Sequence, residues 1–222
     1  MAGGDFLTLD ETARAVGVST RHARRLAESG AVSRIARGLI DRDSVDRYLH
    51  SQHRGRTRAW AEHTAWGAVA LLAGRDADWL GATQRSRLRQ SLRAISDVDD
   101  LVPRMRDRAR VCTFEAHRAA LPRLRDLIVV SNTSSLGITE AIDGSVDGYL
   151  AAGDLDRVVV MLGLRADPGG AVTLRVTSFD FARARELVTT PVTAALDAAT
   201  STDPRMRGIG NRALHKLLKA YR

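Results

Sequence analysis

Arg21, Arg24 and Arg25 fall within five residues of one another in the stretch GVSTRHARRLAESGAV, Gly17 to Val32. At steps of about 100° from Ser19 they share one arc of a helix with Glu28, while Ala23, Leu26 and Ala27 share the opposite arc. One face can pack; the other presents three guanidinium groups. Such a fork can bond the guanine edge in a DNA major groove with two parallel hydrogen bonds, and a helix N-terminus favours phosphate. The candidate DNA-contacting residues on this helix are therefore Ser19, Thr20, Arg21, His22, Arg24 and Arg25. Arg34 and Arg37 join them from the hairpin that should follow, and Arg54 and Arg56 from the basic run SQHRGRTR at 51–58. Arg21, nearest the helix start, is expected to read bases, and Arg37 to touch backbone.

Other residue groups could do other chemistry. Gly144-Ser145 followed by Asp154-Leu155-Asp156 superficially matches the nucleotidyltransferase pattern, in which paired carboxylates hold Mg²⁺ on phosphates. Asp180 could supply a third carboxylate. A simpler account makes Ser145 the cap of a helix containing Tyr149 and Leu150, Gly153 its end and Asp154 the cap of the next helix. No catalytic residue and no enzyme activity are expected. The six histidines show no ligand spacing beside a carboxylate or cysteine, so no metal or other cofactor is expected. Cys112, the one cysteine, sits in the apolar stretch Val111 to Phe114 and reads as a small buried hydrophobe. Trp60 and Trp66, at helical spacing among alanines, read as core.

The elements that must position the arginines are legible locally. Thr8-Leu9-Asp10-Glu11 is a capping-box pattern, which predicts a helix from Leu9 to about Val16, stopped by Gly17. Ser19 caps a second helix at 20–29, ended by Gly30. Ala13, four residues before Gly17, permits a close helix–helix contact with a sharp turn. Apolar stretches at 32–36 and 39–40 about Arg37-Gly38 predict a hairpin, and Asp43 can cap a third helix through Leu49. Beyond Arg58 the texture changes. Helices are expected at 59–73, 84–95 and 98–109, and strands at 110–115 and 127–131 with a short helix between them. A hairpin should pair 159–164 with 173–177, and helices at 180–188, 192–200 and 204–221 close the chain, the last capped by Asp203 with Pro204 in its first turn.

The net charge is +8 on 222 residues. The excess is segregated: residues 1–58 carry 11 Arg and 7 acids, residues 59–125 carry 12 Arg and 8 acids, and residues 126–222 carry 11 of each sign. A one-sided basic excess is the footprint of a polyanion binder. Hydrophobic residues at 44% and charged residues at 27% are ordinary for a folded, water-exposed chain. No apolar run reaches membrane-spanning length and no signal peptide precedes Phe6, so the cytoplasm is the expected location and no membrane contact is expected.

The segment LTLDETARAVGVSTRHARRLAESGAVSRIARGLIDRDSVDRYL resembles the winged helix-turn-helix of the excisionase and MerR-type DNA-binding families over roughly residues 6–50. It departs from them in the crowded RHARR, so no target sequence carries over. The remainder, through VTLRVTSFD and AALDAATSTDPRMRGIGNRAL, is similar to actinobacterial AbiEi-type antitoxin and regulator proteins encoded beside nucleotidyltransferase-like toxins. The fold expected is α+β: a winged helix-turn-helix with its basic linker at 1–58, then a mixed helix and strand region at 59–222 ending in helices. The expected partner is double-stranded operator DNA, bound by a homodimer. What the second resemblance implies is an antitoxin-like autorepressor, with a cognate nucleotidyltransferase-like toxin as a further partner. A phage- or plasmid-type repressor or excision factor, a ligand-sensing regulator and a nucleotidyltransferase remain the alternatives.

Overall fold

The structure, a computed structural model, describes residues 6–29, 31–36, 38–42, 44–46, 48–49, 58–138, 144–201 and 203–222. It is a mixed helix-and-strand α+β chain with two small sheets. It divides into two compact units, Met1–Arg58 and Ala59–Arg222. Among the described residues no helix is long and apolar enough to cross a membrane.

The first unit runs β1 (Phe6–Thr8), α1 (Leu9–Val16), α2 (Thr20–Glu28), β2 (Arg34–Ala36) and β3 (Leu39–Asp41), after which residues 42, 44–46 and 48–49 are helical and form α3. Its sheet has the order β1-β3-β2, antiparallel throughout. β1 has no counterpart in the sequence patterns, because three residues are too few to show alternation. Pairing with β3 decides it: Leu7 stands opposite Ile40 and both are buried, while Phe6 and Leu39 on the other face are half-exposed. Leu7, Leu26, Val32, Ile40 and Val45 make the core, about five large side chains for a unit of this size. Gly30 and Asp43, expected as helix stop and helix cap, lie outside the described residues. α2 closes through Ser29, whose N–H donates to the Arg25 carbonyl at 2.9 Å.

The second unit contains α4 (Glu62–Leu72), α5 (Ala82–Ala94), α6 (Val98–Arg104), β4 (Arg110–Glu115), α7 (Leu121–Leu127), β5 (Val146–Ala151), α8 (Leu155–Leu162), β6 (Arg165–Ala166), β7 (Val172–Thr177), α9 (Phe181–Val188), α10 (Pro191–Ala199) and α11 (Pro204–Tyr221). The sheet order is β5-β7-β4-β6, with β5 parallel to β7 and the other pairs antiparallel. On one face Phe114, Leu150, Leu174 and Val176 pack with Leu124 of α7 and Val158 of α8. On the other, Tyr149 joins a larger core built by α4, α5, α6, α9, α10 and α11 around the fully buried Trp66. α10 and α11 cross closely at Gly210, where a Cβ would overlap the Ala199 nitrogen and meet the Ala195 carbonyl at 2.7 Å.

Four expectations fail here. Residues 146–151 form a strand, so Ser145 leads into β5 and caps no helix. The β-branched run Val158-Val159-Val160 belongs to α8, not to a strand. Apolar residues at 155, 158, 159 and 162 make a helical stripe against the sheet, and Gly163 (φ 60°) closes it. β7 therefore pairs with β5 and β4 instead of forming a hairpin with 159–164. Residues 127–131 are not a strand either: α7 runs through Leu127, and only Val129 bridges to Tyr149. The helix expected at 98–109 ends at Arg104, six residues before β4 begins.

Candidate nucleic-acid interface

The candidate surface is α2, and α1 and the turn before it fix where α2 points. Thr8 and Glu11 form a reciprocal cap: the Thr8 N–H and hydroxyl each donate to Glu11 Oε2 at 2.8 Å, and the Glu11 N–H donates to Thr8 Oγ1 at 3.2 Å. The Thr8 backbone N–H, with its hydroxyl behind it, holds the Glu11 carboxyl below the usual carboxylate range. Gly17 ends α1 at φ 72°, a left-handed conformation that costs a side-chain-bearing residue about 1–2 kcal/mol. The Gly17 and Val18 N–H groups then donate back to Arg14 and Ala13.

Ser19 and Thr20 turn out to serve the turn itself. Ser19 Oγ accepts from the His22 N–H at 3.3 Å, capping α2, and the Thr20 hydroxyl donates to Asp10 Oδ1 at 3.0 Å, tying the start of α2 to α1. The second bond was not visible in sequence patterns, since the residues are ten apart. Ala23 and Leu26 are buried, whereas Arg21, His22, Arg24 and Arg25 are exposed. Arg34 is exposed on β2. Arg37, Arg54 and Arg56 lie outside the described residues. The structure thus brings four cationic or titratable candidates onto one short helix, about 13 Å long, whose opposite side is locked into a core.

The alternative constellation does not assemble. Asp154 and Asp156 stand at the start of α8, where residues two apart project to different sides of a helix. Asp154 caps nothing through its side chain and instead accepts from Arg157 Nη2 at 2.9 Å. Asp180 caps α9, accepting from the Ala182 N–H at 3.0 Å. Among the described residues no group of three or more His, Cys, Asp or Glu side chains could hold a metal ion. Cys112 is only partly buried. A groove of about 440 Å³ between the α6 start and α11 is lined by Asp97, Val98, Asp99, Asn211, Arg212, His215 and Lys216, one apolar side chain among six polar ones.

The second unit hides a polar centre that sequence spacing gave no sign of, because its bonded partners lie 22 to 89 residues apart. Asp197 Oδ1 accepts from Arg108 Nη2 at 2.6 Å and from the Tyr149 hydroxyl at 2.8 Å, and Arg175 Nη1 stands 3.4 Å away. Arg175 also reaches Asp147 with two bonds of 2.8 Å. Burial pushes the Tyr149 hydroxyl well above its ordinary pKa, so it stays a donor. For Arg175, burial opposes the charge, and Asp197 with Asp147 more than offsets it. All but Asp147 are buried, and the cluster joins sheet to helices.

No protein-family model matches the chain, and neither a curated protein nor a solved structure matches it.

Proposed function

We propose that the chain is a sequence-specific regulator that binds double-stranded DNA, with Met1–Arg58 as a winged helix-turn-helix, α2 as its recognition helix and the β2–β3 hairpin as its wing. The observation that carries this reading is the two-sidedness of α2. Ala23 and Leu26 are buried while Arg21, Arg24 and Arg25 are exposed, and the capped Gly17 turn and the Thr20–Asp10 bond fix the helix against α1. Arginine on an outward helix face suits the guanine edge and phosphates of a major groove. The second unit then provides pairing of subunits and recognition of a partner. The role as an antitoxin-like autorepressor rests on the resemblance of its motifs to AbiEi-type proteins, and no catalytic role is assigned to it.

The test is binding of the full chain to a duplex from immediately upstream of its own gene, against a mixed-sequence duplex of equal length. Arg21→Ala, Arg24→Ala and Arg25→Ala should lower the ratio of the two affinities, by about 1–3 kcal/mol for each side chain that holds a base bidentately. An unchanged ratio in all three variants, with thermal unfolding unaltered, removes α2 as the recognition helix.

A further inference from the structure

The charge balance of residues 126–222 conceals a second segregation. Between Pro204 and Tyr221 the chain has Arg205, Arg207, Arg212, Lys216 and Lys219 and not one Asp or Glu. At about 100° per residue, Arg205, Arg212, Lys216 and Lys219 fall within an arc of about 60°. The buried residues Gly210, Leu214 and Leu218 lie on the opposite side of α11. All four cations are exposed, and none of their side chains makes an ion pair or hydrogen bond among the described residues. Asp97 and Asp99 approach Arg212 and Lys216 across the groove described above, yet Asp97 accepts from the Asp99 N–H at 3.0 Å and neither pairs with α11. From Arg205 to Lys219 the stripe is about 21 Å long.

We propose that this face of α11 is a second DNA-contacting surface, a linear cationic stripe that lies along the phosphate backbone of a duplex. The occupant follows from the chemistry. A stripe of four cations on a helix that itself carries no carboxylate complements a linear polyanion, and about 21 Å measured along the duplex axis corresponds to roughly six base pairs. The arc holds no aromatic side chain on which unpaired bases could stack, which favours a duplex over single strands. The one large apolar side chain bordering it, Ile209, is half-buried, so the arc has no exposed apolar anchor of the kind protein interfaces are built on. The proposal rests on the reading of the chain as a DNA-binding protein and adds sequence-independent contacts to it, made by the second unit.

The experiment measures salt dependence with the full chain carrying Arg212→Ala, Lys216→Ala and Lys219→Ala together, on the upstream and mixed-sequence duplexes and on a single strand of equal length. Three lost phosphate contacts should make the slope of log K against log salt shallower by about 2 to 3 for each subunit engaged. Both duplexes should weaken by the same factor, and Arg212→Lys should keep the native slope. A native slope and affinity in the triple variant overturn the proposal. So does a loss confined to the upstream duplex, which is base reading, or a loss confined to the single strand. If the triple variant fails to fold, each single alanine variant should reduce the slope by about 0.9 for each subunit engaged. If the α2 variants leave the affinity ratio intact while the α11 variant changes the slope, the recognition-helix reading falls and the stripe stands.

Discussion

Asp197 holds together the polar centre of the second unit through a single oxygen, which accepts from Arg108 and Tyr149 and faces Arg175. Taking that carboxylate away leaves Arg108 buried with no other carboxylate bonded to it, while Arg175 keeps Asp147. Breaking a buried pair in this one-sided manner costs about 3–5 kcal/mol, so Asp197→Ala should lower the denaturation midpoint far more than Asp154→Ala, whose partner Arg157 is solvent-exposed. Urea unfolding of the two variants beside the native chain checks this; equal midpoints would show that the cluster contributes nothing. Glu11 makes a prediction about pH. Its carboxyl is held low by the Thr8 N–H, so the native state favours the ionised form. The stability this supplies is present above the ordinary carboxylate pKa and is lost as pH falls through the lowered native value. Glu11→Gln should therefore weaken the first unit at neutral pH and change it little in strong acid, as followed by the unfolding of α1 and α2. Thr8→Ala removes the other half of the cap and should cost about 0.5–2 kcal/mol.

Helices here depend on their ends and crossings more than on propensity. Gly17 has open space around a would-be Cβ, so Gly17→Ala should cost about 1–2 kcal/mol through its left-handed backbone alone, and Gly17→Asn less. Because the turn sets the direction of α2, the same change should lower DNA affinity as well as stability. Gly210 is the opposite case. Its conformation is ordinary, but any side chain collides with α10 backbone, and Gly210→Val should unfold the α10–α11 packing. A Gly210→Val protein with native thermal stability would mean that the crossing is loose. On the DNA side, Arg34→Ala on β2 should weaken upstream and mixed duplexes alike, in contrast to Arg21→Ala on α2. Arg34→Ala changing the ratio more than Arg21→Ala would exchange their roles.

Taken as one chain, the protein has a net charge of +8 and cationic faces in both of its units. Binding of a homodimer should then show a log K against log salt slope of roughly −4 to −8 from the first unit's contacts, and steeper with the α11 stripe engaged. The footprint should be two-fold symmetric, with half-sites about one helical turn or a multiple of it apart. Nuclease protection on the upstream duplex measures the spacing. A single asymmetric footprint, combined with a monomer in sedimentation, would exclude the paired arrangement.

What could be read without coordinates was local in origin. The Thr8–Glu11 cap, Gly17, Ser19 and Asp203 act on groups within a few residues, and the arginine arc of α2 follows from its own periodicity. The strand and helix assignments that failed depended on distant partners. Tyr149 and Leu150 are strand because β7, more than twenty residues on, offers a parallel edge, and Val158 to Val160 are helix because their stripe meets a sheet. The Asp197 cluster and the burial of β1 need residues brought together from across a unit. The cationic stripe of α11 was in plain view as letters, but counted over residues 126–222 it vanished into a neutral sum. Only the packing of Leu214 and Leu218, which turns the other side of α11 outward, shows that Arg205, Arg212, Lys216 and Lys219 share one exposed face.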